Sequence, residues 1–466
     1  MAGSRRVLAL MCGALYVAAD AVAAQVITGD VDDSLLLVVG DVTSSSARVL
    51  YDQVPSSASK LQVRVHQTMA RTQEDLAGSA IGQTLDFTLS GSTEQPRVVG
   101  LENLEPGRRY VVQFEVDEPR ETATVMFHTA REEQGDKCTD RVLVVSCDRY
   151  VDDHDDVLMQ RLASDVEAHD YALDSPSVHF GMAHLGDQIY ADAGELSIKV
   201  VALPLKEMED KKFRRARFEE ILNEFRGLYR ETFGRKAAQR VLRIGAHWMI
   251  PDDHEIINNF NFELVQKAFQ GAKNSLLSEE ERERFVALQL HCRAGLQAYY
   301  EFQYQLYREF PWGSVDFLED ALGEILRAYP VYFAVEMQQV KLLFLDVRFE
   351  RSFFEEEEDL PKLLQTWSQD DRSAAVVFAS MPLFFQSVFS AAIAHVVEHE
   401  TYPGMAEQRT GLEDLFRIFQ GYNQRRLDSN EEVSPLLTPV FETAYSWARS
   451  PWCIEYERVF LGRNYG

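Results

Sequence analysis

The first third of the chain alternates between short apolar runs and turn residues, a pattern typical of β-strands. Gly40-Asp41 separates the first two runs and predicts a turn between two strands. We therefore predict a β-sandwich domain over residues 25–132. The apolar runs that carry this prediction cover residues 34–39, 47–51, 61–65, 109–116 and 123–127.

The end of this β-rich region carries a more specific pattern. Residues 101–107 read Leu-Glu-Asn-Leu-Glu-Pro-Gly, and Tyr110 follows them. This segment resembles the corresponding part of fibronectin type III modules, which implies a small all-β domain of that kind. The charged stretch over residues 131–137 is predicted to be a linker.

Beyond the linker, short and wholly apolar strands alternate with long helical patterns. The clearest helices cover residues 218–226 and 284–306, and Ser278 with Glu281 forms a capping-box pattern ahead of the second. Buried strands separated by helices predict an α/β layered domain over residues 138–466. The predicted strands cover residues 142–145, 178–182, 248–250, 342–345 and 375–379.

Composition narrows the possible partners. The chain has 466 residues with 47 Lys and Arg against 74 Asp and Glu, a formal charge of −27, and 46% of its residues are hydrophobic. So acidic a surface repels phosphate backbones and anionic lipid, so we expect no nucleic-acid-binding patch. A small anionic substrate would need local positive charge, which a metal ion supplies most simply.

Residues 1–24 are predicted to be a signal peptide. Arg5 and Arg6 precede an apolar run, and Ala21-Val22-Ala23 offers small residues for cleavage. The apolar run is too short to span a bilayer of roughly 30 Å as a helix, although an uncleaved anchor is the alternative. We therefore expect a secreted, extracellular protein without a membrane span.

Four clusters of polar side chains stand where predicted apolar strands end. Ligands of α/β sheets bind beyond the carboxyl ends of strands, so we expect the four clusters to converge. Thiol, carboxylate, phenol and imidazole groups together are a typical set of metal ligands. The clusters are Ser146-Cys147-Asp148, Gly186-Asp187-Gln188-Ile189-Tyr190-Ala191-Asp192, Asp252-Asp253-His254-Glu255, and Asp346-Val347-Arg348 followed by Arg351.

In their order and spacing, these motifs resemble the PhoD-like (alkaline phosphatase D) metallophosphatases, a branch of the calcineurin-like metallophosphoesterases. The resemblance covers most of the chain, since that family also carries a β-sandwich ahead of its catalytic domain. It implies a metallophosphatase domain with a β-sandwich core flanked by helices. It also implies a phosphoric monoester or diester hydrolase in which a metal-bound hydroxide attacks phosphorus in line.

The resemblance also implies a role for each motif residue. Cys147 and Tyr190 would ligate a ferric ion, Asp187 would bridge this iron and a second divalent metal, and Asp253 would be a further ligand. The second metal would be calcium, as in the family. His254 would assist the departing alkoxide. Each residue has a structural alternative: a helix-capping Asp187, a buried Cys147 thiol, a packed Tyr190 or a His254 bonded to the backbone.

Further residues are expected to support this site. A guanidinium group holds phosphate oxygens with two hydrogen bonds, so Arg348 and Arg351 are predicted to bind substrate. Pairing of these arginines with Asp346 is the structural alternative. Four more residues are predicted to orient the metal ligands: Asp148, Asp252, Glu255 and Asn259.

One family motif, Gly-Asp-Val-His or a close variant, is not found. No histidine follows His399, and residues 404–466 contain no Gly-Asp pair. His395 and His399 are interpreted as a surface or packing pair on a helix. The alternatives to an active hydrolase are therefore a catalytically impaired or silent relative that acts as an extracellular binding module, or an incomplete gene model.

Overall fold

The structure is a computed structural model, and it describes most of the chain up to residue 349. Apart from Ala379 and Ser380, the described residues belong to one compact unit made of residues 1–349 and 373–378. The predicted signal peptide, most of the linker, Asn259, Arg351 and the region of the missing motif lie outside the described residues. The described residues are 34–69, 76, 78–89, 95–131, 139–149, 156–170, 177–194, 196–258, 260–337, 340–349 and 374–380.

The described part of the N-terminal region is β-rich, as predicted. Its seven strands form a three-stranded sheet in the order β1-β2-β5 and a four-stranded sheet in the order β4-β3-β6-β7. All pairings are antiparallel. The hydroxyl of Tyr110 accepts the backbone N–H of Glu105 at 2.7 Å. The strands are β1 (Leu36–Val42), β2 (Ala47–Asp52), β3 (Lys60–Gln67), β4 (Gln83–Thr88), β5 (Arg97–Leu101), β6 (Arg109–Val116) and β7 (Glu121–His128).

The predicted turn at Gly40-Asp41 is wrong, because both residues lie inside β1. The chain reverses later, where the N–H of Thr43 donates to the carbonyl of Ser46 at 2.9 Å. A Cβ on Gly40 would lie 2.2 Å from the backbone oxygen of Leu306, so glycine is needed for close packing rather than for a reversal.

The remainder of the described chain is α/β, as predicted. Each predicted strand is present and is longer than its predicted range. In one sheet β9 lies between β8 and β10 and is parallel to both. The other has the order β11-β12-β13, with β11 and β12 antiparallel. The strands are β8 (Thr139–Val145), β9 (Ser177–Leu185), β10 (Ala246–Ile250), β11 (Phe333–Met337), β12 (Val340–Leu345) and β13 (Ala374–Ala379).

The two longest described helices, Lys211–Phe233 and Glu279–Phe302, pack against each other. The predicted capping box is present at the start of the second: Glu281 N–H donates to the Ser278 hydroxyl at 3.2 Å, and Ser278 N–H donates to the Glu281 carboxylate at 2.8 Å. The helices are α1 (Val157–Asp170), α2 (Leu205–Met208), α3 (Lys211–Phe233), α4 (Lys236–Leu242), α5 (Phe262–Lys273), α6 (Glu279–Phe302) and α7 (Leu322–Ala328), with a 3-10 turn at Tyr304–Leu306.

Hydrogen bonds and ion pairs fix the N-terminal sheets to the α/β layer. Arg243 donates to the carbonyl of Leu35 at 2.6 Å, and both residues are buried. Arg230 pairs with Asp52 at 2.7 Å. Trp248 on β10 donates its indole N–H to Asp41 at 2.8 Å. These contacts stabilise the strands whose ends carry the candidate site. Across the described residues, no helix is sufficiently long and apolar to cross a bilayer.

Candidate metal centre

The parallel pairing of β8 and β9 brings the first two motifs together. The backbone N–H of Cys147 donates to the carbonyl of Gly186 at 3.1 Å, and that of Asp148 donates to the carbonyl of Asp187 at 2.9 Å. Cys147 has φ +60° and Asp187 has φ +57°, a left-handed conformation that is uncommon for residues other than glycine. Both chains therefore turn sharply where their strands end.

Gly186 allows Asp252 of the third motif to lie close to the backbone of the second motif. It has φ +93°, and a Cβ at this position would lie 2.4 Å from the Cβ of Asp252. The buried carboxylate of Glu255 then joins the two loops, because it accepts the N–H of Gln188 at 2.8 Å and that of Asp252 at 2.9 Å.

Five of the residues predicted to act at the metals or in catalysis meet at these strand ends. Potential ligand atoms of Asp187, Asp253 and His254 all lie within 4.8 Å of one another. The Cys147 thiol donates to Asp187 Oδ2 at 3.6 Å. The Tyr190 hydroxyl donates to the same oxygen at 3.2 Å. Asp187 is therefore the centre of the group: its Oδ2 accepts from the thiol and the phenol, and its Oδ1 accepts the backbone N–H of His254 at 3.3 Å. The ring centroids of Tyr190 and His254 lie 4.5 Å apart.

The electrostatics of this group suit a bound cation. Burial, and then the charge of Asp253, raise the pKa of Asp187. Burial and Asp187 raise the pKa of Cys147 to about 11, and they raise the pKa of Tyr190 as well. A cation would stabilise the deprotonated form of each group, so this donor set fits a metal site.

The pKa values of the surrounding carboxyl groups are raised by burial as well. Burial, as the largest cause, raises the pKa of Asp252 to about 7, although Arg348 opposes it. Burial, followed by the charge of Asp187, raises the pKa of Glu255 to about 8. The buried carboxylates of this site repel one another, and this repulsion falls when a metal ion or a proton binds.

His254 is held by a residue to which the sequence analysis gave no role. Its Nδ1 lies 2.6 Å from Oδ1 of Asp192, and Asp192 Oδ2 accepts the N–H of Asn258 at 2.6 Å. Burial lowers the pKa of His254, but the Asp192 hydrogen bond and the nearby carboxylates outweigh it and raise the value to about 9. For Asp192, the sequence signal was its position as the last residue of the Gly-Asp-x-x-Tyr-Ala-Asp motif.

Arg348 lies at this site but faces carboxylates. It is 6% exposed, its guanidinium contacts the carboxylate of Asp252, and it lies 3.4 Å from that of Asp253. Its backbone N–H donates to Asp346 at 2.9 Å. Arg348 thus holds the acids of the third motif in place, and its role in substrate binding stays a prediction.

Two further arginines surround the first motif. Arg235 contacts the carboxylate of Asp148 and donates to that of Asp156 at 2.6 Å, so Asp148 is engaged in an ion pair. The guanidinium carbon of Arg149 lies 5.6 Å from the ring centroid of Tyr190. No sequence pattern indicated Arg235, whereas Arg149 directly follows the first motif.

Comparison with known proteins gives one family. The family model of PhoD-like phosphatases matches residues 142–352, a range that includes all five clustered residues. A solved structure of PhoD aligns at 15% identity with a TM-score of 0.42, covering 71% of this chain and 53% of that one. The chain thus spans about half the length of the PhoD structure. None of the curated proteins compared with the sequence matches it.

Two smaller solved structures match part of the chain. The third fibronectin III domain of a human protein aligns at 18% identity with a TM-score of 0.16, covering 25% of this chain and 94% of that domain. A structure described as a myokine aligns at 16% identity with a TM-score of 0.16, covering 20% of this chain and 93% of its own.

Proposed function

Because the family model of PhoD-like phosphatases matches residues 142–352, we propose that the protein is a metal-dependent phosphoric ester hydrolase acting on small phosphate monoesters or diesters. One observation carries this proposal: ligand atoms of Asp187, Asp253 and His254 lie within 4.8 Å of one another beside a thiol and a phenol. Buried acids in such numbers are costly unless a cation neutralises them.

The donor set indicates how metals would be held. Cys147 and Tyr190 offer a thiolate and a phenolate, which suit iron, while Asp187 and Asp253 offer oxygen atoms to a second divalent ion such as calcium. When bound, such cations lower the pKa of coordinated water and neutralise charge that develops on the phosphoryl oxygens.

The side chains of the third motif would carry the proton transfer. Because Nδ1 of His254 is engaged by Asp192, we assign proton donation to Nε2, toward the departing ester oxygen. The raised pKa of His254, about 9, keeps the ring protonated near neutral pH. Glu255 and Arg348 hold the backbone and the carboxylates of this motif in place.

We also propose that the protein is secreted after removal of residues 1–24. The basic residues, the apolar run and the small residues near Ala23 support this proposal.

The experiment measures metal content together with hydrolysis of aryl phosphate monoesters and diesters by the purified protein. We expect bound metal and hydrolysis for the wild type, and loss of both in Asp187→Asn. Asp210→Asn is the matched control, because Asp210 caps α3 by accepting the N–H of Lys212 at 2.8 Å and asparagine caps helices equally well. Stable wild-type protein without metal or activity would contradict the hydrolase and favour the silent binding module.

A further inference from the structure

A cavity of about 470 Å³ opens beside the metal centre. Cys147 and Asp187 form one end of its wall. The rest of the wall comes from α1, the end of α3, α4 and strands β8 to β10. The cavity therefore extends from the phosphatase site into the layer between helices and sheet.

The far part of the cavity is apolar. Its wall includes Leu162, Met182, Ala238, Val241 and Leu242. At its rim stands Leu158, which is 66% exposed on α1. Apolar cavities of this kind bind hydrocarbon groups, and one of about 150 Å³ is already large enough for benzene.

The polar groups in the wall interact with protein rather than awaiting a charged ligand. Asp148 pairs with Arg235. Nε2 of His184 lies 2.9 Å from Nδ1 of His247, and burial keeps both rings neutral by lowering their pKa values. The cationic side chain of Arg149, which follows the first motif, also lines the cavity, so it is the far part of the wall that suits an uncharged, apolar ligand group.

The position of the cavity selects which part of a substrate it would hold. Among its described lining residues are Cys147 and Asp187 but neither Asp253 nor His254. The departing alcohol must reach His254, the proposed proton donor, which does not line the cavity. The cavity remains for an ester group that stays on phosphorus.

We propose that the substrates are phosphodiesters whose retained alcohol carries an aryl or alkyl group, and that this group fills the cavity beside Cys147 and Asp187. This inference rests on the proposed hydrolase function. It adds a preference, among diesters, for an apolar retained group.

The test uses 4-nitrophenyl alkyl phosphates, in which the departing nitrophenol is constant while the retained chain grows from methyl to octyl. Burial of one methylene raises kcat/KM by about three- to fourfold. We expect this increase over the first several carbons and a plateau once the cavity is full. Calorimetry with methylphosphonate and octylphosphonate gives a second readout, binding without turnover, and octylphosphonate should bind more tightly.

Two variants probe the cavity itself. Ala238→Leu fills part of the space from α4, and Leu158→Arg places a charge at the exposed rim, where folding is little affected. Both should flatten the dependence on chain length and leave the methyl ester unchanged. Leu276→Arg is the control, because Leu276 is 92% exposed and does not line the cavity, so the wild-type dependence should persist.

The outcomes separate the two proposals. If the methyl ester is hydrolysed but kcat/KM does not rise with chain length, the cavity proposal is wrong and the hydrolase stands. A rise that Leu158→Arg and Ala238→Leu both leave intact also overturns the cavity proposal. If no ester is hydrolysed with metals supplied, the hydrolase fails, and tighter binding of octylphosphonate would still report an apolar site.

Discussion

Nδ1 of His254 lies 2.6 Å from the carboxylate of Asp192, which also accepts the backbone N–H of Asn258. The pair joins the end of the second motif to the third. It fixes the orientation of the imidazole beside Asp187 and raises the pKa of His254.

Asp192→Asn should lower activity by about 10- to 100-fold, the usual cost of losing a group that orients a ligand or catalytic residue. Without the carboxylate, the pKa of His254 falls from about 9, so the protonated ring is lost at lower pH. The alkaline limb of kcat/KM against pH should therefore move to lower pH. An unchanged limb with reduced kcat would show that Asp192 does not act through the charge of His254.

Gly186→Ala should destabilise the protein by roughly 1–3 kcal/mol and reduce metal binding. The new Cβ meets Asp252 at 2.4 Å, and φ +93° is unfavourable for alanine. Gly227→Ala is the matched control: it lies within α3 with open space around it, so it should stabilise the helix by about 0.5–1 kcal/mol. Thermal unfolding of both variants and their metal content decide the comparison.

Arg226 and Glu301 form a buried pair between α3 and α6, with N–O distances of 2.7 and 2.6 Å. Arg226→Met alone should cost about 3–5 kcal/mol of stability, because Glu301 is left charged and buried. The double variant Arg226→Met, Glu301→Leu should regain most of that loss. Denaturant unfolding of the two single variants and the double variant measures the coupling, and additive losses would contradict it.

His184 and His247 should make stability depend on pH. Burial lowers the pKa of His184 to about 3, whereas the unfolded chain has about 6.5. Between these values the unfolded state binds more protons, so stability falls as pH falls, by up to about 1.4 kcal/mol per pH unit for each histidine. His184→Asn should give a shallower slope in urea unfolding between about pH 7.5 and pH 5. An equal slope in both proteins would contradict this prediction.

Some strand ends and helix starts were predictable because they depend on local patterns. The apolar runs placed β8, β9, β10, β12 and β13 but not β11, and the spacing of Ser278 and Glu281 predicted the start of α6. The turn at Gly40-Asp41 failed for a tertiary reason. Glycine suits both reversals and close backbone approach, and only the packing against Leu306 shows which applies.

The candidate site was also predictable from the sequence only in part. The order of residues along the chain identified the three motifs that carry Cys147, Asp187 and His254, because each follows an apolar strand. It could not assign Arg348 to Asp252 and Asp253, nor Arg235 to Asp148, since each guanidinium reaches across elements far apart in sequence.

The sequence by itself determined the succession of a β-rich region and an α/β region, and the kinds of side chain that end the strands. These follow from hydrophobic period and residue chemistry, which are local properties. Only the tertiary structure decided that Asp192 holds His254, that Gly186 admits Asp252, and that an apolar cavity borders Cys147. Such relationships depend on the parallel register of β8, β9 and β10, and register is fixed by the packing of the whole core.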